Sequence, residues 1–295
     1  MWQTYLQKIA ANDFKSLARC ISLVENEAEG YEDLLRALPS SHTPVIGITG
    51  PPGAGKSTLT DALIALFVEQ KQKVAVLCVD PSSPFNLGAL LGDRIRMSQW
   101  YNSPDVFIRS LATRGSLGGL HPKIIEITDL LKASGFDHII VETVGVGQSE
   151  IEIAGLADIT VVVIVPESGD EVQTMKAGLM EIADIFVVNK ADRPGAEILL
   201  KNLRMMLAPA FQNHAQEVPV IKTVASQNEG VRELMEKISQ QTSSRNSGKK
   251  ARLLAEKAYR LIQSKRMKDV NKDELFKSIE KEGEAFNMYA FINNY

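Results

Sequence analysis

Short, continuously apolar runs alternate with helix-length amphipathic stretches through the middle of this chain. Val45–Thr49, Val74–Asp80, Val106–Arg109, His138–Thr143, Thr160–Val165, Ile185–Asn189 and Val218–Thr223 are strand candidates. Most lack the alternation of a half-exposed strand, which predicts strands covered on both faces of a largely parallel sheet. Helical patterns lie between them, at Leu59–Glu69, Lys123–Ala133, Glu171–Ala183 and Ala196–Leu207, with Asn228–Gln241 as the last. The order predicts an α/β domain, a three-layer, doubly wound, mostly parallel sheet with right-handed crossovers. Ahead of it, Tyr5, Ile9, Phe14, Leu17 and Ile21 recur at helical intervals, the mixed-charge stretch Glu25–Leu38 follows, and Pro39–Pro44 is a linker. Behind it, Ser243–Lys250 is a polar hinge, and Arg252–Arg266 and Asp273–Phe286 are two further helices. The predicted organisation is an N-terminal helical segment (1–42), a central domain (43–242) and a C-terminal helical extension (243–295).

Composition narrows the class. The 295 residues suffice for one sizeable α/β domain with appended helices, and 44% hydrophobic with 23% charged residues is ordinary for a globular protein. A formal net charge of −3 gives no general reason to expect nucleic-acid binding. Cys20 and Cys78 both sit in apolar patterns, which predicts buried thiols rather than a disulfide framework or thiolate metal site. No uninterrupted apolar segment is long enough for a bilayer, and the N-terminus lacks a signal-peptide core. A cytoplasmic protein, or one of an organelle matrix, is expected.

The chemistry concentrates in Ile46–Thr58, IGITGPPGAGKST. Gly50-x4-Gly55-Lys56-Ser57 stands between a predicted strand and a predicted helix, the context a phosphate-binding loop requires. Its glycines, Gly50, Gly53 and Gly55, let backbone N–H groups of the loop, Ala54 included, turn inward around a polyphosphate at a helix N-terminus, where Thr58 continues the first turn. Lys56 supplies a point charge for the β- and γ-phosphates and the Ser57 hydroxyl can ligate Mg²⁺. The competing reading is an ordinary glycine-rich turn.

A second motif selects the base. The strand ending at Asn189 leads into Asn189-Lys190-Ala191-Asp192. A carboxylate at Asp192 can accept from both N1–H and the 2-amino group of guanine, whereas adenine presents a lone pair at N1 and no 2-amino donor. Such charge-assisted bonds are worth about 1.5–3 kcal/mol each. The Lys190 stem can lie over the base and Asn189 can tie loops together. Thr223–Ser226, with Ala225 and Ser226 at its end, follows the last strand where a second base-contacting loop is expected. The ligands predicted are GTP and GDP.

Three acids follow strands or loops on the same predicted edge: Asp80 in VDPSSP, Asp93 in LGDRIRM, and Glu142 opening ETVGVGQ. Mg²⁺ prefers octahedral oxygen ligands and keeps several waters. Ser57, phosphate oxygens and waters can fill its shell, with Asp80, Asp93 and Glu142 ligating it or its waters. Glu142 is the strongest candidate. Gly145 can donate its N–H to a γ-phosphate and so couple loop order to nucleotide state. Asp93 reads equally as a surface partner of Arg94 or Arg96. No residue stands out as a general base. Positioning and charge carry phosphoryl transfer, so Lys56 is the main catalytic candidate, with Asp80 and Asp93 to orient water. Gln148 is less suited, standing beyond the sensing glycine.

The segments GPPGAGKST, VDPSSP, LGDRIRM, RGSLGGL (Arg114–Leu120), ETVGVGQSE, GDEVQTMKAG (Gly169–Gly178) and NKAD together resemble the MeaB/ArgK-type P-loop GTPases, from about Thr43 to Thr223. The resemblance implies a GTP-hydrolysing G-protein chaperone, slow by itself and stimulated by its partner. That partner would be an adenosylcobalamin-dependent acyl-CoA mutase of the methylmalonyl-CoA mutase type, whose cofactor loading it gates and which it protects. It also implies that Glu167–Lys176 is an additional switch, with Lys176 the residue to mutate, and that the C-terminal extension is a dimerisation arm of a homodimer. His121-Pro122 departs from the family pattern, and the region after Ser243 is short and matches weakly. Three other readings share the loop: a nickel-insertion GTPase, disfavoured by four scattered histidines and two isolated cysteines; a P-loop kinase, disfavoured by NKAD; and a nucleotide-dependent scaffold.

Overall fold

A computed structural model describes residues 2–80, 97–113, 120–143, 152–168, 177–211, 218–243, 247–283, 286–293 and 295. The described chain divides into two compact units, Met1–Asn246 and Ser247–Tyr295. The first is built on seven parallel strands: β1 (Val45–Thr49), β2 (Val74–Asp80), β3 (Val106–Ala112), β4 (His138–Glu142), β5 (Ile159–Ile164), β6 (Ile185–Val188) and β7 (Val220–Lys222). Their order across the sheet is β3-β2-β4-β1-β5-β6-β7. The continuously apolar runs are buried on both faces, as in β2, where every residue from Val74 to Asp80 is inside.

The strands' alternating side chains feed separate cores. On one face, Ile46, Ile48, Val76, Val161, Val163 and Val187 join Leu59, Leu63 and Phe67 of helix α4 (Lys56–Glu69) and Leu234 and Ile238 of helix Val231–Ser243. The other face is covered in two parts. Over β1 to β4, Val45, Leu77 and Val141 meet helix Ile124–Lys132 and the N-terminal helices α1 (Trp2–Ala10), α2 (Phe14–Glu25) and α3 (Tyr31–Arg36). Over β5 and β6, Val162, Phe186 and Val188 meet Leu199 and Leu203 of helix Ala196–Phe211. The N-terminal helices thus fill one layer of the domain itself. Cys20 and Cys78 are both buried, and burial pushes the Cys20 thiol up to about 11.

The register is pinned at the edge where strands begin. Asp137, Asp158 and Asp184 each stand just before a strand, and their carboxylates accept the amides of Lys73 (2.7 Å), Val45 (2.7 Å) and Thr160 (2.9 Å). Each aspartate's own amide donates back to the carbonyl of that same residue, so both orphan groups at a strand start are satisfied.

Some boundaries differ from the sequence pattern. Strand β3 runs to Ala112 rather than stopping at Arg109, because its parallel pairing with β2 continues to Asp80↔Ala112, and Arg109 within it donates to Glu25 Oε2 (2.5 Å) and Ser22 Oγ (3.2 Å) of α2. The expected hinge over 243–250 is shorter. One helix ends at Ser243 and the next, Ser247–Arg266, begins inside it, since Lys249, Lys250 and Ala251 are good helix formers. The second unit adds helix Lys272–Glu282 and a short helix, Met288–Ile292, capped by Asn287 accepting from the Ala290 amide (3.0 Å). No described helix is long and apolar enough to cross a membrane.

Two stability predictions follow from this packing. A Cβ on Gly47 in β1 would stand 2.5 Å from Ile153 Cγ1 and 2.9 Å from Ala157 Cβ. Gly47→Val is therefore expected to destabilise the first unit by about 1–3 kcal/mol through overpacking, read from denaturant unfolding. His138, at the start of β4, stacks on Phe67 at 4.2 Å between ring centroids, with Nε2 3.2 Å from Gln72 Oε1 and a buried, unbonded Nδ1. Burial lowers its pKa, against a smaller opposing pull from Asp137. The folded value lies below that of the unfolded chain, about 6.5. The stability from neutral His138 is therefore complete above that pH and is lost as pH falls through the folded value. The melting temperature of the wild type should fall more between pH 7.5 and 5.5 than that of His138→Gln; parallel curves would contradict the assignment.

Candidate nucleotide site

Strand β1 lies at the point where the strand order reverses, between β4 and β5, the place where open α/β sheets leave a crevice beyond their C-terminal ends. The loop from Gly50 to Gly55 opens there and runs into α4. Three of its residues need glycine for different reasons. Gly50 (φ +138°) has no room for a Cβ, which would sit 2.0 Å from the Val163 carbonyl oxygen. At Gly55 (φ +86°) a Cβ would sit 2.4 Å from Asn189 Nδ2, while Gly53 (φ +77°) faces open space. The Lys56 ammonium turns back into the loop and donates to the carbonyls of Gly50 (2.9 Å) and Pro51 (3.1 Å). Ala54 is buried within the loop, and Thr58 is exposed on the first turn of α4.

Ser57 and Thr60 grip one carboxylate. Ser57 Oγ donates to Glu142 Oε1 (2.6 Å) and Thr60 Oγ1 to Glu142 Oε2 (2.9 Å), and all three residues are buried. Glu142 is the last residue of β4, beside β1. Asp80 ends β2, and because Cys78 is the register partner of Glu142, Asp80 lies two residues further toward the same edge and is also buried. Thr60 was not among the sequence candidates; its place three residues after Ser57, on the same helical face, is the signal that marks it.

Asn189 occupies the centre of the other half of the site. Its Nδ2 donates to the Ala54 carbonyl (2.9 Å), and its Oδ1 accepts from Thr223 Oγ1 (3.0 Å) and from the Ala225 amide (3.2 Å). Lys190, in a left-handed conformation (φ +54°), donates to the Gly53 carbonyl (2.8 Å). The Ala191 amide donates to the Thr223 carbonyl (3.0 Å), so the segment carrying the exposed Asp192 is tied to the one carrying Ala225 and the exposed Ser226. The glycine-rich loop, the N-K-x-D segment and the loop after β7 therefore meet. Just beyond, Arg193 pairs with Glu167, whose carboxyl it holds below its usual value. Asp93, Gly145, Gln148 and Lys176 lie outside the described residues. Among the described residues, no group of three or more His, Cys, Asp or Glu side chains could hold a metal ion.

Comparison with known proteins agrees with this arrangement. The family model described as "Methylmalonyl Co-A mutase-associated GTPase MeaB" matches residues 17–281. The match reaches well past the Thr43–Thr223 span of the diagnostic motifs, into the N-terminal helices and the second unit. A Pyrococcus abyssi protein named "Putative GTPase" is 48% identical over 240 residues, 80% of this chain and 74% of that protein. The fused isobutyryl-CoA mutase of Geobacillus kaustophilus is 39% identical over 238 residues, which are 75% of this chain and 22% of that protein. The crystal structure of an LAO/AO transport system kinase superposes with a TM-score of 0.68 at 27% identity, covering 96% of this chain and 87% of that one. Nickel-bound HypB of Helicobacter pylori, at 17% identity and a TM-score of 0.52 over 75% of this chain and 94% of that one, shares the fold. With a family match over nearly its whole length, and with the loop and N-K-x-D segment joined in one site, this chain belongs to the MeaB family of P-loop GTPases.

Proposed function

We propose that the chain hydrolyses GTP in this site with Mg²⁺ and uses the cycle as a chaperone for an adenosylcobalamin-dependent acyl-CoA mutase. The observation that carries the nucleotide assignment is the Asn189 bridge, which ties the phosphate loop to the N-K-x-D segment through Ala54. In this reading the amides of Gly53 to Ser57 and the Lys56 ammonium hold the β- and γ-phosphates. Asp192 accepts from guanine N1–H and the 2-amino group, the Lys190 stem covers the base, and Ala225 and Ser226 close the other side. The paired Ser57 hydroxyl and Glu142 carboxylate are hard oxygen donors that suit Mg²⁺, with Asp80 and Asp93 as further acids on its waters. When bound, the cation would neutralise charge on the phosphates. Water adds to the γ-phosphorus, the bond from that phosphorus to the β,γ-bridging oxygen breaks, and GDP and inorganic phosphate leave. Lys56 stabilises the charge that develops, Asp80 and Asp93 orient the water, and Gly145 senses the γ-phosphate.

A mutase partner is supported by the family's description and by a relative that is itself a fused isobutyryl-CoA mutase. In this proposal the segment from Glu167 to Lys176 signals nucleotide state to the mutase. The C-terminal extension serves as the arm of a homodimer, and the protein works in the cytoplasm. The division into 1–42, 43–242 and 243–295 is proposed on function: nucleotide chemistry belongs to the central part.

The test is GTP turnover by the purified chain with Mg²⁺, alone and with candidate mutases, with ATP as control. Slow, GTP-selective turnover that rises with a mutase is expected; no response to any such mutase would sink the chaperone role. Lys56→Ala should abolish tight GTP binding. Asp192→Asn should weaken guanine nucleotides by roughly 1.5–3 kcal/mol, about ten- to a hundredfold, while leaving ATP binding unchanged. Unchanged GTP affinity in both variants would overturn the site assignment.

A further inference from the structure

Inside a helix, the nearest acceptor for a threonine or serine hydroxyl is the carbonyl four residues back. This chain uses it at Thr128, which donates to Ile124 (2.6 Å), at Thr242, which donates to Ile238 (2.7 Å), and at Ser134 and Ser239. Thr60, fully buried in α4, does otherwise. Its hydroxyl donates to Glu142 Oε2 (2.9 Å), 82 positions away in the chain. That carboxylate is the one whose other oxygen, Oε1, accepts from Ser57 Oγ (2.6 Å). The neighbouring Asp61 turns elsewhere, its Oδ1 accepting from the Trp100 indole Nε1 (2.7 Å).

The backbone of Glu142 does not need that bond. It stands in register with Ile48 of β1 on one side and Cys78 of β2 on the other. Just after it, the Thr143 amide donates to the Ile48 carbonyl (3.0 Å) and the Thr143 hydroxyl to Thr49 Oγ1 (2.9 Å). What the strands leave open is the side chain, because the last torsion of a glutamate is broad and roughly two-fold. A single donor at Ser57 would let the carboxyl group swing about that bond. A second donor one helical turn on, at Thr60, grips the other oxygen and removes the rotation. The Ser57 proton is directed to Glu142, so the lone pairs of its oxygen are what the hydroxyl offers a cation. The orientation of the carboxylate thus sets the orientation of the Ser57 hydroxyl.

We propose that Thr60 is a positioning residue for the divalent cation. By fixing the plane of the Glu142 carboxylate it fixes the Ser57 hydroxyl that faces it, and so sets both oxygen donors in place before an ion binds. The proposal rests on the reading of this site as one that takes guanine nucleotide with Mg²⁺. Thr60 touches neither nucleotide nor metal in that reading. Groups that hold a metal's ligands change its affinity by about tenfold or more when they are lost. Loss of the Thr60 hydroxyl should therefore act on the cation's affinity and leave nucleotide binding without the cation in place.

The experiment compares the full-length wild type with Thr60→Val, Thr60→Ala, Thr60→Ser and Lys56→Ala. Mn²⁺, which shares the preference of Mg²⁺ for oxygen ligands, is titrated into the GDP complex and followed by electron paramagnetic resonance. GDP affinity in EDTA is measured by calorimetry, folding by thermal melts, and GTP turnover across a Mg²⁺ titration. Thr60→Val keeps the shape of the side chain and removes the hydroxyl. It is expected to weaken Mn²⁺ binding and raise the half-saturating Mg²⁺ by about tenfold each, with GDP affinity in EDTA within about twofold. Thr60→Ser restores the donor and should bring both back to within about twofold of the wild type. Thr60→Ala should match Thr60→Val and stands in for it if Thr60→Val does not fold. Wild-type Mn²⁺ affinity in either of these two overturns the proposal. So does a Thr60→Ser no better than Thr60→Val, a loss of GDP affinity in EDTA as large as the loss for Mn²⁺, or failure of both Thr60→Val and Thr60→Ala to fold; each makes Thr60 a structural residue alone. Wild-type GDP binding that is lost in Lys56→Ala keeps the underlying reading in all of these cases. A wild type that binds no GDP overturns that reading and this proposal with it.

Discussion

One side-chain amide holds the nucleotide site together. Asn189 spends its donor on the Ala54 carbonyl of the phosphate loop and its acceptor on Thr223 and Ala225 of the loop after β7. All of these groups are buried, so each bond left unmade would cost about 1–3 kcal/mol. The geometry also constrains the partners. Gly55 cannot carry a Cβ, because it would stand 2.4 Å from the Asn189 nitrogen. The glycine of one motif and the asparagine of the other, 134 positions apart in the chain, thus form a single packing unit. Lys190 adds a second tie, to Gly53, from a left-handed backbone that an ordinary loop has little reason to adopt.

Helix α4 does the corresponding work at the phosphate end. Its first residue closes the loop through Lys56, and its first two turns hold Glu142 through Ser57 and Thr60 and the turn at Trp100 through Asp61. The same helix is fixed in the core by Leu59, Leu63 and Phe67. Apolar burial therefore sets the position of the helix, and the polar residues inherit it. The aspartates at the other edge complete the frame: Asp137, Asp158 and Asp184 fix where strands begin, and so how far Asp80 and Glu142 extend at the far end.

Much of this was legible in the sequence because its signals are local. Continuous apolar runs mark strands buried on both faces, and a strand–loop–helix context marks the phosphate loop. The N-terminal helices were readable from the spacing of Ile9, Leu17 and Ile21, but their place against the sheet was not. Helical spacing says which face is apolar and nothing about what it covers. The extension of β3 past Arg109 depends on its pairing with β2 as far as Asp80↔Ala112, residues 32 positions apart in the chain. Strand pattern alone does not see such a partner. The contacts of Asn189 and Asp61 were hidden in the same way. The motif announces an asparagine, but only the fold shows that it reaches Ala54, and Asp61 belongs to no motif at all.

The strand order also separates two chemistries that the motifs place side by side in thought. Phosphate and metal candidates cluster around β1, β4 and β2, and base candidates around β6 and β7, on the other side of β1 and β5. The candidates for base selection and for hydrolysis thus stand on different strands, joined through the loop that Asn189 and Lys190 hold. Under the proposed assignment, Asp192 belongs to the choice of nucleotide, and the residues of α4 and β4 to its hydrolysis. Asn189 is the residue at which the two sets meet, since the same amide holds the phosphate loop through Ala54 and the loop after β7 through Thr223 and Ala225.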